Sequence, residues 1–203
     1  MHPNPAYRGV DSARNLAFAR EVSFGVMTMA GDDGPLVSHL PFALNEAGDR
    51  FGAHIVRSNP IWKALRNGPL EAAMIVSGPH GYISPDWYGI EDQVPTWNYV
   101  AIHLRGQVRL LEETALRAHV DEMSGQFEAR LAPKPIWLTE KVDPDALSRM
   151  MRMIALIEMA ISDVQGTWKL AQNKSEEARV GAAAGLEGQG RSDLAALMRN
   201  PPA

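Results

Sequence analysis

From Val94 to Leu111 the chain alternates. Val100, Ile102, Leu104, Val108 and Leu110 fall on one side; Trp97, Tyr99, His103, Arg105, Gln107 and Arg109 fall on the other. A period of two is that of a strand with one face in a core. The polar face carries aromatics, a histidine and two arginines, so it either meets water or lines a site for a planar anionic ligand. At about 3.4 Å per residue the run exceeds the usual strand length, and Gly106 is the expected place for a bend or bulge.

The rest of the chain follows from its periodicities and breakers. Asp11 or Ser12 caps a helix to about Glu21, with Leu16 and Ala17 inward. Phe24 to Ala30 reads as a strand, and Gly31-Asp32-Asp33-Gly34 as a turn. Leu36 to Leu44 returns as one strand with Leu36, Leu40, Phe42 and Leu44 on one face and Val37, His39 and Pro41 on the other. Pro41 has no N–H, which places this strand at an edge or gives it a bulge. Phe51 to Val56 is a third strand, with Gly52 and His54 on a shared face. Asn59 and Pro60 are N-cap and first position of a short helix ended by Gly68. That helix start, next to Arg57, is either a capped connector or a phosphate cradle. Leu70 to Ser77 is a fourth strand; Gly78-Pro79-His80-Gly81 predicts a turn before a short strand, Tyr82 to Ser84. Pro85 to Val94 is a loop with two aromatics, of the kind that carries binding residues or pins itself to the body.

Beyond the long strand, Leu116, Val120, Met123, Phe127 and Leu131 form the stripe of a helix over Thr114 to Leu131. Asp143-Pro144 opens another through about Met153, whose Met150, Met151 and Met153 read as core filling. Ala155 to Val164 suits a strand or a continued helix, with Gly166 as its end. Ser175 caps a helix with Glu176 and Glu177 in its first turn, and a weak helix falls near Ser192 to Met198. Short turns between strands indicate antiparallel pairing. The class is therefore α+β, mainly β with helices: a small barrel or curled sheet with helical cover. One domain, residues 1–187, is expected, followed by a flexible tail over 188–203.

Composition removes several chemistries. The chain has no cysteine, which rules out disulfides, thiolate catalysis and Cys-ligated metal. The net charge of -4 argues against broad electrostatic capture of nucleic acid or anionic membrane. The start, MHPNPAYRGVD, lacks a basic segment followed by an apolar run, and no window has the length to span a bilayer, so the expected location is the cytoplasm. His39, His54 and His103 lie on strands, but no HExxH or familiar His–carboxylate spacing accompanies them, and no metal is expected. GxSxG, GxGxxG and the P-loop are absent, as is a helix-turn-helix. What remains is a set for anion binding and stacking: Arg57 and Asn59 at a helix start, Trp97 and Asn98 opening the long strand, and Lys169, Gln172, Asn173 and Lys174 before the last strong helix. Arginine supplies forked donors to phosphate, and amides match the edges of a heteroaromatic.

Four segments carry a resemblance. They are SHLPF at Ser38–Phe42, HIVRSNP at His54–Pro60, VPTWNYVAIH at Val94–His103 and WKLAQNKS at Trp168–Ser175. In this order, across about residues 1–187, the chain resembles the PaiB-like, FMN-binding negative transcriptional regulators. The resemblance implies an antiparallel split β-barrel of the FMN-binding, pyridoxamine-phosphate-oxidase-like type. It further implies FMN as cofactor, a homodimer, and a strand at Ala155 to Val164. The positions matching the family's segments are His39, Pro41, His54, Arg57, Asn59, Trp97, Asn98, Lys169, Gln172, Asn173 and Lys174. Arg57, helped by Lys169 or Lys174, is expected on the phosphate, with Trp97 and Asn98 near the ring; no catalytic residue is assigned. Three functions follow as expectations: an FMN-binding regulator sensing redox state or a ligand, an FMN-dependent oxidoreductase, and a non-enzymatic dimer with a vestigial flavin site. DNA or a transcription partner is implied by the resemblance, not by the charge.

Overall fold

Gly34, at φ 122°, closes the turn that lets β1 (Phe24–Met29) fold back on β2 (Leu36–Pro41). The antiparallel register sets Phe24 opposite Pro41 and Met29 opposite Leu36. The computed structural model describes residues 1–202. Its further strands are β3 (Ala43–Leu44), β4 (Arg50–Val56), β5 (Leu70–Ile83), β6 (Thr96–Leu110) and β7 (Ile154–Lys169). The helices are α1 (Ser12–Val22), α2 (Pro60–Leu65), α3 (Leu116–Ala129), α4 (Pro144–Met151), α5 (Glu176–Gly188) and α6 (Ser192–Arg199). Hydrogen bonds order the strands β2-β1-β5-β6-β7-β4-β3. The chain forms two compact units. The first holds Met1–Ala19, Val76–His103 and the residues from Val164 on; the second holds Arg20–Ile75 and Leu104–Asp163. Both are built from separated stretches, which the order of elements along the chain does not reveal.

In the second unit one residue settles the topology. The single strand predicted from Leu36 to Leu44 is broken at Phe42, with β2 before it and β3 after it. Those two strands stand at opposite ends of the hydrogen-bonded order. A single residue spans only about 3.5 Å, so the two ends of the sheet lie side by side and the sheet curls closed. Phe42 is fully buried, its N–H donates to the Ser23 carbonyl at 3.0 Å, and its ring lies 5.0 Å from that of Phe51. β4 pairs antiparallel with β7 from Arg50↔Ala160 to Val56↔Ile154. β6 is not interrupted at Gly106. A Cβ there would meet the Ala160 carbonyl oxygen at 1.8 Å, so this glycine is fixed by the close approach of β7 rather than by a bulge.

The first unit shows the same use of glycine. The predicted turn at Gly78–Gly81 does not form, and β5 runs through it to Ile83. A Cβ on Gly78 would lie 2.6 Å from the Phe18 ring and 2.9 Å from Val100. Likewise β7 does not end at Gly166, where a Cβ would collide with the Asn15 amide at 2.2 Å. Asn15 accepts from the Trp168 indole at 2.8 Å and donates to the Val10 carbonyl at 3.2 Å. The inward face of α1 is therefore Asn15 and Ala19, not Leu16 and Ala17. Beyond residue 187 the chain is packed. Leu194, Ala195 and Met198 of α6 are buried, and Arg179 of α5 donates to the carbonyls of Met198 and Arg199. The methionines of the α4 region go the other way: Met150 and Met153 are 48% and 64% exposed, because α4 is only eight residues long and rests on few neighbours.

Replacing Gly106 with alanine is expected to destabilise the fold by about 3 kcal/mol, the upper end of ordinary overpacking. The opposing atom is backbone and cannot swing away. Urea unfolding of the two proteins measures it, and an unchanged midpoint would show that β6 and β7 can separate locally.

Candidate functional site

Asn59 takes up the short helix it caps. Its side-chain oxygen accepts from the Ile61 N–H at 2.9 Å, and its amide donates to Ser38 Oγ at 3.0 Å. The predicted phosphate cradle at this helix start is thus internally satisfied. Arg57 is the more available group. It is half-buried, with Nε donating to the Ile154 carbonyl at 3.1 Å and Nη2 to Glu113 at 2.6 Å, and its guanidinium lies 5.7 Å from the Trp62 ring centre. Arg66 lies over the same indole at 5.4 Å. Arg57 borders a cavity of about 370 Å³ in the second unit, with Arg117, Arg152, Leu116, Leu147 and Met151. Three guanidiniums face one carboxylate, Glu113, above an apolar wall. Arg117 is held by Asp121 at 2.6 Å, while the Arg152 side chain makes one bond, to Ser148 at 2.8 Å.

The other half of the predicted set lies in the first unit. Strand alternation separates Trp97 from Asn98. Trp97 is 55% exposed, 6.3 Å from both the His80 and Tyr82 rings, whereas Asn98 is buried. The Asn98 amide donates to Met198 Sδ at 3.3 Å, and its Oδ1 is enclosed without a partner. Lys169 donates to Thr96 Oγ1 at 2.5 Å, and burial lowers its pKa. Gln172 serves the backbone: it accepts from Leu170 N at 2.8 Å and donates to the Trp168 carbonyl, holding a turn in which Ala171 has φ 63°. Asn173 accepts from the Tyr7 hydroxyl at 2.9 Å, and Lys174 donates to Gln93 with its ammonium 5.5 Å from the Tyr88 ring centre. Asn98, Asn173 and Lys174 are thereby brought round one cavity of about 190 Å³, together with Tyr7, Tyr88 and Thr96. That is below the roughly 300–1,000 Å³ of most cofactor pockets.

His39 and Pro41 stand on the edge strand β2, with His39 exposed and stacked on Phe24 at 6.4 Å. His54 has a different partner. Its ring meets His119 of α3 edge-on at 5.8 Å, and His54 Nδ1 and His119 Nε2 are both enclosed without a hydrogen bond. Gly52, on the same face of β4, leaves the room: a Cβ there would come within 3.0 Å of the His119 ring. Burial lowers both pKa values, and His54 as a second cause brings His119 to about 4. Among the described residues no three His, Asp or Glu groups converge as a metal site, and no helix is long and apolar enough to cross a membrane. Trp62, Glu113, Arg117, Arg152, Tyr7 and Tyr88 were not legible as site residues. Tyr7 sits in an unremarkable segment, Tyr88 in the two-aromatic loop that reads equally as binding or as pinning, and the arginines belong to helices whose polar faces look like solvent.

A half-buried arginine on an indole, opening on a cavity with two more arginines, fits a phosphate-bearing aromatic cofactor. The donor set matches the phosphate's forked acceptors, and Leu116, Leu147 and Met151 supply an apolar wall. The chain belongs to the family described as "Putative FMN-binding domain", whose pattern it matches over residues 1–163. The cofactor of that family is FMN. "Protease synthase and sporulation protein PAI 2" of Bacillus subtilis is 31% identical over 175 residues, 85% of this chain and 83% of that protein. Two solved structures share the fold. The FAD and heme binding protein from Mycobacterium smegmatis superposes with a TM-score of 0.57 at 15% identity, over 80% of this chain and 73% of that one. The flavocytochrome Anf3 from Azotobacter vinelandii gives 0.55 at 16%, over 83% and 72%. The fold is the antiparallel split-barrel type that the four segments imply.

The histidine pair gives the protein a pH dependence with a definite sign. The unfolded chain takes up protons on these rings near pH 6.5, while the folded His119 resists until about pH 4. Their contribution is fully present above pH 6.5 and is lost as the pH falls towards 4. Urea midpoints measured from pH 7.5 to 4.5 are expected to fall, and His119→Leu is expected to flatten the slope. An equal slope in that variant would remove the pair as its source.

Proposed function

We propose that this chain is a homodimeric, FMN-binding protein of the PaiB-like kind that influences transcription, using the flavin to sense redox state or a ligand. The observation that carries the flavin reading is the setting of Arg57. It is an arginine from one of the family's segments, backed by an indole and bordering a cavity with two further arginines and an apolar wall. Arg57 would hold the phosphate, helped by Arg152, whose bond is to a hydroxyl and not a carboxylate, with Arg117 held in reserve by Asp121. Lys169 and Lys174 are given no part in it, since neither borders that cavity. When bound, FMN supplies hydride and electron transfer; the residues named here bind and orient it, and Leu116, Leu147 and Met151 exclude water from its charged end.

Two observations support the remainder. Trp97 and Tyr82, 55% and 47% exposed and 6.3 Å apart, form an aromatic surface of the kind that marks protein contacts, and it is assigned to the partner subunit. The relative from Bacillus subtilis is named a protease synthase and sporulation protein, in keeping with the regulators that the four segments resemble. With a net charge of -4, regulation through a protein partner is favoured over direct capture of DNA.

The test begins with the absorbance spectrum of the protein as purified and a titration with FMN. Saturable flavin binding is expected; its absence would sink the flavin reading. Arg57→Ala is expected to weaken FMN binding by about 1.5–3 kcal/mol, the range for hydrogen bonds to a charged group. An unchanged dissociation constant would refute the phosphate assignment. Steady bleaching of the flavin by NADH or NADPH with turnover would replace the sensor with an oxidoreductase.

A further inference from the structure

Thr96 and Asn98, from the start of β6, and Asn173 and Lys174, from the turn before α5, meet around the 190 Å³ cavity of the first unit. That is the room of about six water molecules at their liquid volume. It is too small for a flavin but large enough for a compact ion of a few non-hydrogen atoms. Its wall is rich in donors. Tyr7 and Tyr88 are 6% and 4% exposed. The Tyr7 hydroxyl is spent on Asn173 at 2.9 Å. The Tyr88 hydroxyl has no hydrogen bond among the described residues and is not one of the enclosed unpartnered atoms, so it opens on the cavity. Lys174 brings an ammonium over the Tyr88 ring and uses one of its three protons on Gln93. Lys169, bonded to Thr96 in the same wall, adds a second ammonium one residue removed. The one carboxylate, Asp92, is on the exposed side.

We propose that this cavity is a binding site for a small oxyanion of carboxylate size, held by the Lys174 ammonium and the Tyr88 hydroxyl. The site is separate from the phosphate site assigned to Arg57 and stands whether or not that assignment does. An anion in the cavity accepts from the accessible Tyr88 hydroxyl in place of water and also meets the Lys174 charge, which water does not. Burial, and then Tyr7 beside it, raise the pKa of Tyr88, so the hydroxyl keeps its proton as a donor at neutral pH. Asn173, fixed through its oxygen by Tyr7, keeps its amide protons available. A ligand of this class suits a sensor: it is small enough to enter between side chains, and it would join Lys174, in the turn before α5, to Tyr88, in the turn Pro85–Tyr88.

The experiment titrates the FMN-saturated protein with acetate and with acetamide, which has the same shape without the charge. Tyrosine ring resonances are followed by carbon-proton NMR, with Tyr7→Phe and Tyr88→Phe giving the assignments. Saturable shifts of the Tyr88 signal are expected with acetate and not with acetamide. Tyr88→Phe is expected to weaken acetate binding about tenfold, read on Tyr7, and Lys174→Met to abolish it while the remaining spectrum stays that of the folded protein. Equal response to acetamide, no saturation by acetate, or parental affinity in Lys174→Met would overturn the proposal. So would FMN itself shifting Tyr88 and blocking acetate, since the cavity would then belong to the flavin. Failure of the Arg57→Ala test leaves these outcomes untouched.

Discussion

The second unit depends on the passage of the chain through Phe42. One residue separates two strands that stand at opposite ends of the hydrogen-bonded order, so the sheet has to curl until its ends meet. The corner is held on every side. Phe42 is buried against Phe51, its N–H donates to the Ser23 carbonyl, and Ser23, at φ 51°, is braced by Arg130, whose guanidinium also donates to the Arg20 and Glu21 carbonyls. A positive φ at a serine is strained on its own and persists because these bonds over-determine it. With the corner set, β4 is carried to β7, His54 to α3, and Arg57 to the end of β4, where the Met153 and Ile154 carbonyls fix it at 2.9 and 3.1 Å.

Much of this was legible in the sequence, for a local reason. Val100, Ile102, Leu104 and Val108 are buried as their alternation predicts, and Asn59, Asp143 and Ser175 cap the helices their spacing points to. These features are decided within a few residues. The misreadings share one cause. Gly78, Gly106 and Gly166 look like turn or break signals, yet each stands where another element leaves no space for a Cβ. A glycine in sequence states that a side chain is missing; whether backbone freedom or close approach explains it is a tertiary fact. Phe42 is the same lesson reversed, since an alternating run hid a change of sheet end. The four segments carried the family and the class of fold together, because each holds several residues whose combination is rare.

The site was legible to the level of residue sets and not of partners. Arg57 stands where an anion could reach it, as its type and position suggest. Gln172 and Asn59 do not, because amides next to turns and helix starts bond their own backbone first. Trp97 and Asn98 were read as one unit, although neighbours on a strand face opposite ways, one to the surface and one to the core. Tyr7 reaches Asn173 across 166 positions of sequence, and no local pattern can announce such a pair.

Burial acts in one direction on the partly enclosed polar groups of both units. It raises the pKa of Tyr7 and Tyr88 and lowers those of His54, His119 and Lys169, and in every case the neutral form gains. The lining carboxylates, Glu113 and Asp92, repel an anion, so charge recognition at each site falls to the guanidinium and ammonium groups at its border. In the second unit these are Arg57, Arg117 and Arg152, whose planar forks suit phosphate. In the first unit it is Lys174, a compact charge that matches a smaller ion. The choice between arginine and lysine thus separates the two sites chemically in the same way that 370 and 190 Å³ separate them by size.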